Sequence, residues 1–120
     1  VEIIANDIAP AEPYGEDSGQ LLILGWGSTF GAIRSAVEMA IDEGISVAHL
    51  HLRHINPFPA NLGDVLLKYQ KVVIPELNMG QLSMLIRSKY LVDAIGFNKI
   101  QGKPFTLHEV YNKIKELVEE

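Results

Sequence analysis

Three short stretches of this chain carry groups that could do chemistry. In the first, Gly25-Trp26-Gly27-Ser28-Thr29, glycines and hydroxyls close an unbroken apolar run, Leu21-Leu22-Ile23-Leu24. Glycines allow a tight turn, and a Ser28 or Thr29 hydroxyl can cap the helix that follows or help it hold an anion. A dinucleotide fingerprint asks for more: a third glycine three residues after the second, and an acid at the end of the next strand. Phe30 stands at the first of these places, with Gly31 one residue late, and His51 and Arg53 stand at the second. A helix cap and a close turn are therefore favoured over a nicotinamide nucleotide, with an anion at the helix start as the other reading.

The second stretch holds His49, His51 and His54. Strand alternation puts His49 and His51 on one face, with His54 in the loop beyond. The spacing is loosely that of metal ligands, yet no cysteine or acid lies nearby in sequence to complete a zinc site. Core or interface histidines, hydrogen-bonded to a neighbouring subunit or domain, are the better reading. A general base would need a nucleophile or substrate pocket, which the sequence does not identify. In the third stretch, Pro75-Glu76-Leu77-Asn78-Met79-Gly80-Gln81, an acid and two amides surround a glycine. Either Asn78 caps a helix while Glu76 stays solvated, or Glu76, Asn78 and Gln81 make polar contacts across a domain boundary.

The elements that position these stretches follow from periodicity. A short apolar run fits a strand buried on both faces, here Leu21–Gly25. A helix is expected over Thr29–Glu43, with Phe30, Ile33, Val37, Ala40 and Ile41 as its stripe and Gly44 as a left-handed C-cap. In the next strand, Ile45–Leu52, the residues Ala48, Leu50 and Leu52 face one way, and Val47, His49, His51 and Arg53 the other. Pro57 and Pro59 make Arg53–Asn61 a loop. A short helix over Leu62–Tyr69, a strand over Lys71–Pro75 and a helix from Gln81 to Val92 with Leu82, Leu85 and Ile86 inside come next. Phe97–Ile100 reads as the last strand. Thr106-Leu107-His108-Glu109 is a capping box that opens a strongly amphipathic final helix, whose acidic end, Glu119-Glu120, opposes the helix dipole and is expected to fray. Val1–Ala5 reads as an edge strand and Asn6–Gln20 as a loop or linker rich in turn formers. Strands alternating with helices make an α/β class fold, a three-layer α/β/α sandwich. The loops after its parallel strands gather on one edge, where open α/β sheets bind ligands.

At 120 residues the chain is one domain's worth, long enough for a core without metal or disulfide staples. Residues 1–20 are expected to be edge strand and linker, and 21–120 the sandwich itself. A net charge of −5 with scattered lysines and arginines argues against a nucleic-acid groove or an anionic membrane surface. No apolar run reaches the ~20 residues that cross a bilayer. The absence of cysteine removes disulfides, thiolate nucleophiles and cysteine-ligated iron–sulfur clusters from this chain, and suits a reducing, cytoplasmic setting. The first residues, Val1-Glu2-Ile3-Ile4, lack both an initiator methionine and a basic signal-peptide start. The chain is expected to be a domain of a longer polypeptide.

Taken in order, Gly25-Trp26-Gly27-Ser28-Thr29, His54-Ile55-Asn56-Pro57-Phe58-Pro59 and Pro75-Glu76-Leu77-Asn78-Met79-Gly80-Gln81-Leu82 resemble the C-terminal domain of the alpha subunit of 2-oxoacid:ferredoxin oxidoreductases, most nearly the 2-oxoglutarate type. The resemblance covers nearly the whole chain. It implies the transketolase C-terminal fold: a mixed, mostly parallel sheet of about five strands, the first antiparallel, with helices on both faces. It also implies a parent enzyme that oxidatively decarboxylates a 2-oxoacid onto coenzyme A, using thiamine diphosphate and iron–sulfur clusters that pass electrons to ferredoxin. Those cofactors would sit in other domains and in a beta subunit, and this domain would be architectural. No catalytic residue is carried over. Gly25, Gly27, Ser28, Thr29, His49, His51, His54, Asn56, Glu76, Asn78 and Gln81 are the residues expected to meet another domain or a ligand. The competing expectation is a free-standing module that binds a small anion or nucleotide at the loop edge of the sheet. A receiver-type signalling domain is weaker, because Gly25-Trp26-Gly27 replaces the acid cluster expected after its first strand.

Overall fold

In the computed structural model, which describes residues 10–53, 58–76, 81–90, 92–98 and 104–119, the apolar run is the heart of the central strand β1, Gly19–Trp26. Leu21, Leu22, Ile23 and Leu24 are all buried because helices cover both faces of the sheet. A single 3₁₀ turn, Gly27–Thr29, leads into α1, Phe30–Asp42. Gly44 ends that helix at φ +84°, where its N–H donates to the Ile41 carbonyl and the Ile45 N–H to that of Ala40. These two bonds are the Schellman arrangement expected of a glycine at this place.

The chain continues through β2 (Val47–Leu52), α2 (Leu62–Leu66), β3 (Tyr69–Glu76), α3 (Gln81–Tyr90), β4 (Ile95–Asn98) and α4 (Leu107–Val118). The described strands form one parallel sheet in the order β2-β1-β3-β4. β1 thus has β2 on one side and β3 on the other. Strand alternation divides the core in two. Leu22, Leu24, Ala48, Leu50, Val72 and Ile74 pack under α2 and α3. Leu21, Ile23, Val47 and Val73 pack under α1 and α4, through Ile33, Val37, Val110 and Ile114. The three-layer α/β/α class is as expected. The antiparallel edge strand assigned to Val1–Ala5 lies outside the described residues.

Several boundaries and faces differ from expectation, each for a tertiary reason. Tyr69 opens β3 instead of closing α2: it pairs with Gly19, and its hydroxyl donates to the Glu16 carbonyl at 2.6 Å. Pro75 does not stop β3. It lies beyond the last β1–β3 pair, Ile23↔Val73, so its missing N–H removes nothing from that ladder. The final strand begins at Ile95, two residues early, and pairs with β3 through Asn98. On α1 the outer members of the stripe, Phe30 and Ile41, are exposed, while Ala36 joins the buried set. Leu85 of α3 is exposed beside Met84, and only Leu82 and Ile86 reach the core from that stripe.

The Thr106 capping box is present in both directions, Glu109 N–H to Thr106 Oγ1 at 3.2 Å and Thr106 N–H to Glu109 Oε1 at 2.9 Å. The far end of α4 is better anchored than its acids imply. Lys71 Nζ donates to the Leu117 carbonyl at 2.8 Å, and Gln20 Nε2 to that of Val118 at 3.0 Å. Residues 10–18 form a strap along the outer edge of β2, where Tyr14 and His49 exchange two backbone hydrogen bonds of 2.7 and 2.9 Å. Asn61 pins the strap further by bonding both the N–H and the carbonyl of Ala11.

Candidate functional site

At its C-terminal end β1 stays paired with β2 as far as Trp26↔Leu52, whereas its pairing with β3 ends at Ile23↔Val73. The connections from β1 and from β2 lead to opposite sides of β1, so this edge is the switch point at which doubly wound sheets take ligands. The glycine turn occupies it. Gly25 is a packing requirement, since a Cβ there would lie 2.6 Å from Ile33 Cδ1 and 3.0 Å from His51 Nδ1. Gly27 has φ +67°, a left-handed conformation that glycine adopts without strain.

Neither hydroxyl of the turn caps α1, contrary to expectation. The 3₁₀ turn displaces them: Thr29 Oγ1 is buried and donates back to the Trp26 carbonyl at 2.9 Å, and Ser28 is exposed. The helix start is left with no side-chain cap bond.

The two strand histidines join this turn to α1 through a chain of hydrogen bonds. Arg34 Nε donates to His49 Nδ1 at 3.2 Å, His49 Nε2 meets His51 Nδ1 at 3.3 Å, and His51 Nε2 meets the Gly27 carbonyl at 3.1 Å. Each end fixes a direction. Arginine only donates, so His49 Nδ1 accepts; a carbonyl only accepts, so His51 Nε2 carries a proton. One assignment satisfies every link: His49 Nε2–H donates to His51 Nδ1, and both rings are neutral. Phe30 packs on both, its centroid 5.3 Å from that of His49 and 5.0 Å from that of His51. The electrostatics agree with two neutral rings. Burial pushes His49 down to about 3, with the Arg34 and His51 charges acting in the same direction. His51 is also lowered, chiefly by burial, then by Arg34 and Arg53, against an opposing pull from the Gly27 carbonyl. With every ring nitrogen engaged, neither imidazole has a free position for proton transfer or for metal ligation. Among the described residues there is no group of three or more His, Cys, Asp or Glu placed to hold a metal ion.

Glu76 belongs to a separate device. Its carboxylate is buried, and it accepts the N–H groups of Leu82 at 2.7 Å and Ser83 at 3.2 Å. It therefore caps the first turn of α3 from the end of β3, where an anion also complements the helix dipole. Its reading as a solvated side chain is overturned. Gly25, Gly27, Thr29, His49 and His51 thus converge in one cluster, while Ser28 and Glu76 stand apart. His54, Asn56, Asn78 and the Gln81 side chain lie outside the described residues.

The sequence reading missed Tyr14, Phe30 and Arg34 as members of the cluster. Arg34 lies over the Tyr14 ring at 3.9 Å and near that of Phe30 at 4.8 Å. Its spacing of four residues from Phe30 put both on one helix face, which was a usable signal. Tyr14 gave none, because its partner is a strand more than thirty residues on. Trp26, Phe30 and Tyr14 are each more than a third exposed at this edge. This composition, aromatic rings beside arginine, is typical of the centres of protein interfaces.

Comparison with known proteins places these features in context. Residues 20–110 match the family model "Pyruvate:ferredoxin oxidoreductase core domain II". Over 104 residues the chain is 49% identical to 2-oxoglutarate oxidoreductase subunit KorA of Mycobacterium tuberculosis, an alignment that takes in 87% of this chain and 16% of that protein. A solved 2-oxoglutarate:ferredoxin oxidoreductase from Magnetococcus marinus, with 2-oxoglutarate, coenzyme A and succinyl-CoA bound, superposes with a TM-score of 0.88 at 31% identity, over 94% of this chain and 20% of that one. A split-gene transketolase, an inactive beta4 tetramer, shares the fold with a TM-score of 0.66 at 16% identity, over 99% of this chain and 46% of that one. The chain spans about a sixth of the length of curated relatives such as the KorA subunit.

Proposed function

Because the chain belongs to the pyruvate:ferredoxin oxidoreductase core domain II family, we propose that it serves as a non-catalytic structural and interaction domain in the alpha subunit of a 2-oxoacid:ferredoxin oxidoreductase of the 2-oxoglutarate type. One observation carries the non-catalytic part. Four of the expected site residues are committed inside the domain: His49 and His51 to each other, Arg34 and Gly27, Thr29 to Trp26, and Glu76 to α3. Beside them the chain exposes Trp26, Phe30 and Tyr14, a surface suited to packing against the other domains of the subunit.

In this reading the parent enzyme converts a 2-oxoacid to its acyl-coenzyme A, with thiamine diphosphate stabilising the carbanion and iron–sulfur clusters passing electrons to ferredoxin. Those groups do not fit this chain. It has no cysteine for a cluster, and among its described residues no three His, Cys, Asp or Glu are placed to hold a metal ion. They belong to the other domains and to a beta subunit. Residues 1–20 would lead in from the rest of the subunit to the sandwich at 21–120, and the enzyme would work in the cytoplasm.

The test is a pair of substitutions in the complete enzyme. His51→Gln should leave kcat for the 2-oxoacid within about twofold, since no reacting atom meets it. Trp26→Asp should lower the yield of assembled enzyme while the fraction that assembles keeps its kcat. A fall in kcat of about a hundredfold or more for His51→Gln, the scale of a lost general base, would overturn the proposal.

A further inference from the structure

A cavity of about 450 Å³ opens beside His51, walled by the strap, by the start of α1 and by the end of β2. Its volume falls in the range of small-molecule sites. Two arginines line it, Arg34 from α1 and Arg53 from the end of β2, with Glu12 of the strap as the one carboxylate. Among the described residues neither arginine forms an ion pair with Glu12 or with any other acid. The cavity therefore carries one net positive charge when His51 is neutral, in a chain whose overall charge is −5.

Arg34 is held on several sides by neighbouring side chains. Its Nε bonds His49, one face of its guanidinium lies on Tyr14, and the Phe30 ring stands 4.8 Å away. These contacts immobilise a side chain that otherwise loses considerable rotamer freedom on binding a ligand. They engage one of its five N–H donors, and among the described residues the two terminal nitrogens have no hydrogen-bond partner. A fixed, half-buried guanidinium with its fork open is the arrangement that takes a carboxylate or phosphate in bidentate fashion. Arg53, exposed at the rim, adds a second charge.

We propose that this cavity binds a small oxyanion, with Arg34 as the bidentate anchor and Arg53 as the second cation. The shared chemistry is a phosphate or carboxylate group on a small molecule. The site differs from the helix start considered above, since neither Ser28 nor Thr29 lines it. It rests on this chain's own residues and does not depend on the reaction of the assembled enzyme. Burial is the main cause of the lowered His51 pKa, and the Arg34 and Arg53 charges add to it; a bound anion would offset those charges, so occupancy is readable at the His51 ring.

Inorganic pyrophosphate, inorganic phosphate and glutarate, titrated into the full chain by calorimetry with the histidine ring protons followed by NMR, test the proposal. The expected result is one saturable site, with an upward shift of the His51 pKa on binding. Tighter binding of pyrophosphate would identify a phosphate-bearing ligand, and tighter binding of glutarate a carboxylate-bearing one. Arg34→Gln and Arg53→Gln should each weaken binding by about tenfold or more, the loss of one charge-assisted contact. Arg53→Gln alters an exposed residue and so leaves the fold intact. No saturable binding of any of the three at millimolar concentration, or binding unchanged in either variant, would overturn the proposal.

Discussion

Acidification should destabilise this chain by a predictable amount through one residue. A histidine in the unfolded chain titrates near 6.5, whereas His49 in the folded chain is held at about 3 by burial, with Arg34 and His51 adding to it. Above ~6.5 both states are neutral at this position and stability does not vary with pH. As the pH falls further, the unfolded chain takes up a proton that the folded chain refuses. Stability then drops by about 1.36 kcal/mol per pH unit, until the folded ring also protonates near 3. At about pH 5 the accumulated loss is ~2 kcal/mol from His49 alone, and His51, lowered in the same direction, adds to it. Most carboxylates still carry their charge at about pH 5, so the window isolates the histidines. Urea unfolding followed by circular dichroism at about pH 7.5 and pH 5 measures the difference. In His49→Gln, whose amide accepts from Arg34 and donates to His51 without titrating, the drop should shrink by ~2 kcal/mol. If the variant and the parent chain lose the same stability over this range, the relay of neutral rings is wrong.

Other substitutions address single devices. Gly25→Ala forces a Cβ against Ile33 and His51 and should cost about 1–3 kcal/mol in urea unfolding, with a change in the His51 NMR signals. Glu76→Ala removes the cap of α3 and should cost about 1.5–3 kcal/mol, with faster hydrogen exchange at the Leu82 and Ser83 amides. Thr106→Ala breaks the capping box of α4 and should lower stability by ~1 kcal/mol, read as a lower thermal midpoint.

The features legible in the sequence are those whose causes are local. The buried run of β1, the glycine that ends α1 and the capping box of α4 each depend on residues within a few positions of one another, and each stands where expected. The polar face of β2 was equally visible, since His49 and His51 alternate with leucines. Its explanation was not, because Arg34 lies 15 residues before His49 and Gly27 lies 24 before His51. Glu76 illustrates the same limit at shorter range: a side chain six residues ahead of the amide that it serves looks solvated until the chain folds back. Leu85 shows the reverse error. Helical spacing nominates it for the core, but helical spacing cannot tell a face covered by this domain from one left open. The family resemblance was legible because three loops that are unremarkable singly occur together in order. The likeness to the solved 2-oxoglutarate:ferredoxin oxidoreductase covers 94% of the chain.

Complementation in trans tests the interaction role most directly. An alpha subunit lacking the segment that corresponds to this chain would be combined with its partner subunit, and 2-oxoacid-dependent reduction of ferredoxin measured with and without the chain added. The account predicts no turnover by the chain alone, little by the truncated enzyme, and a saturable recovery when the two are mixed. Turnover by the isolated chain, or full turnover by the truncated enzyme without it, would contradict the account.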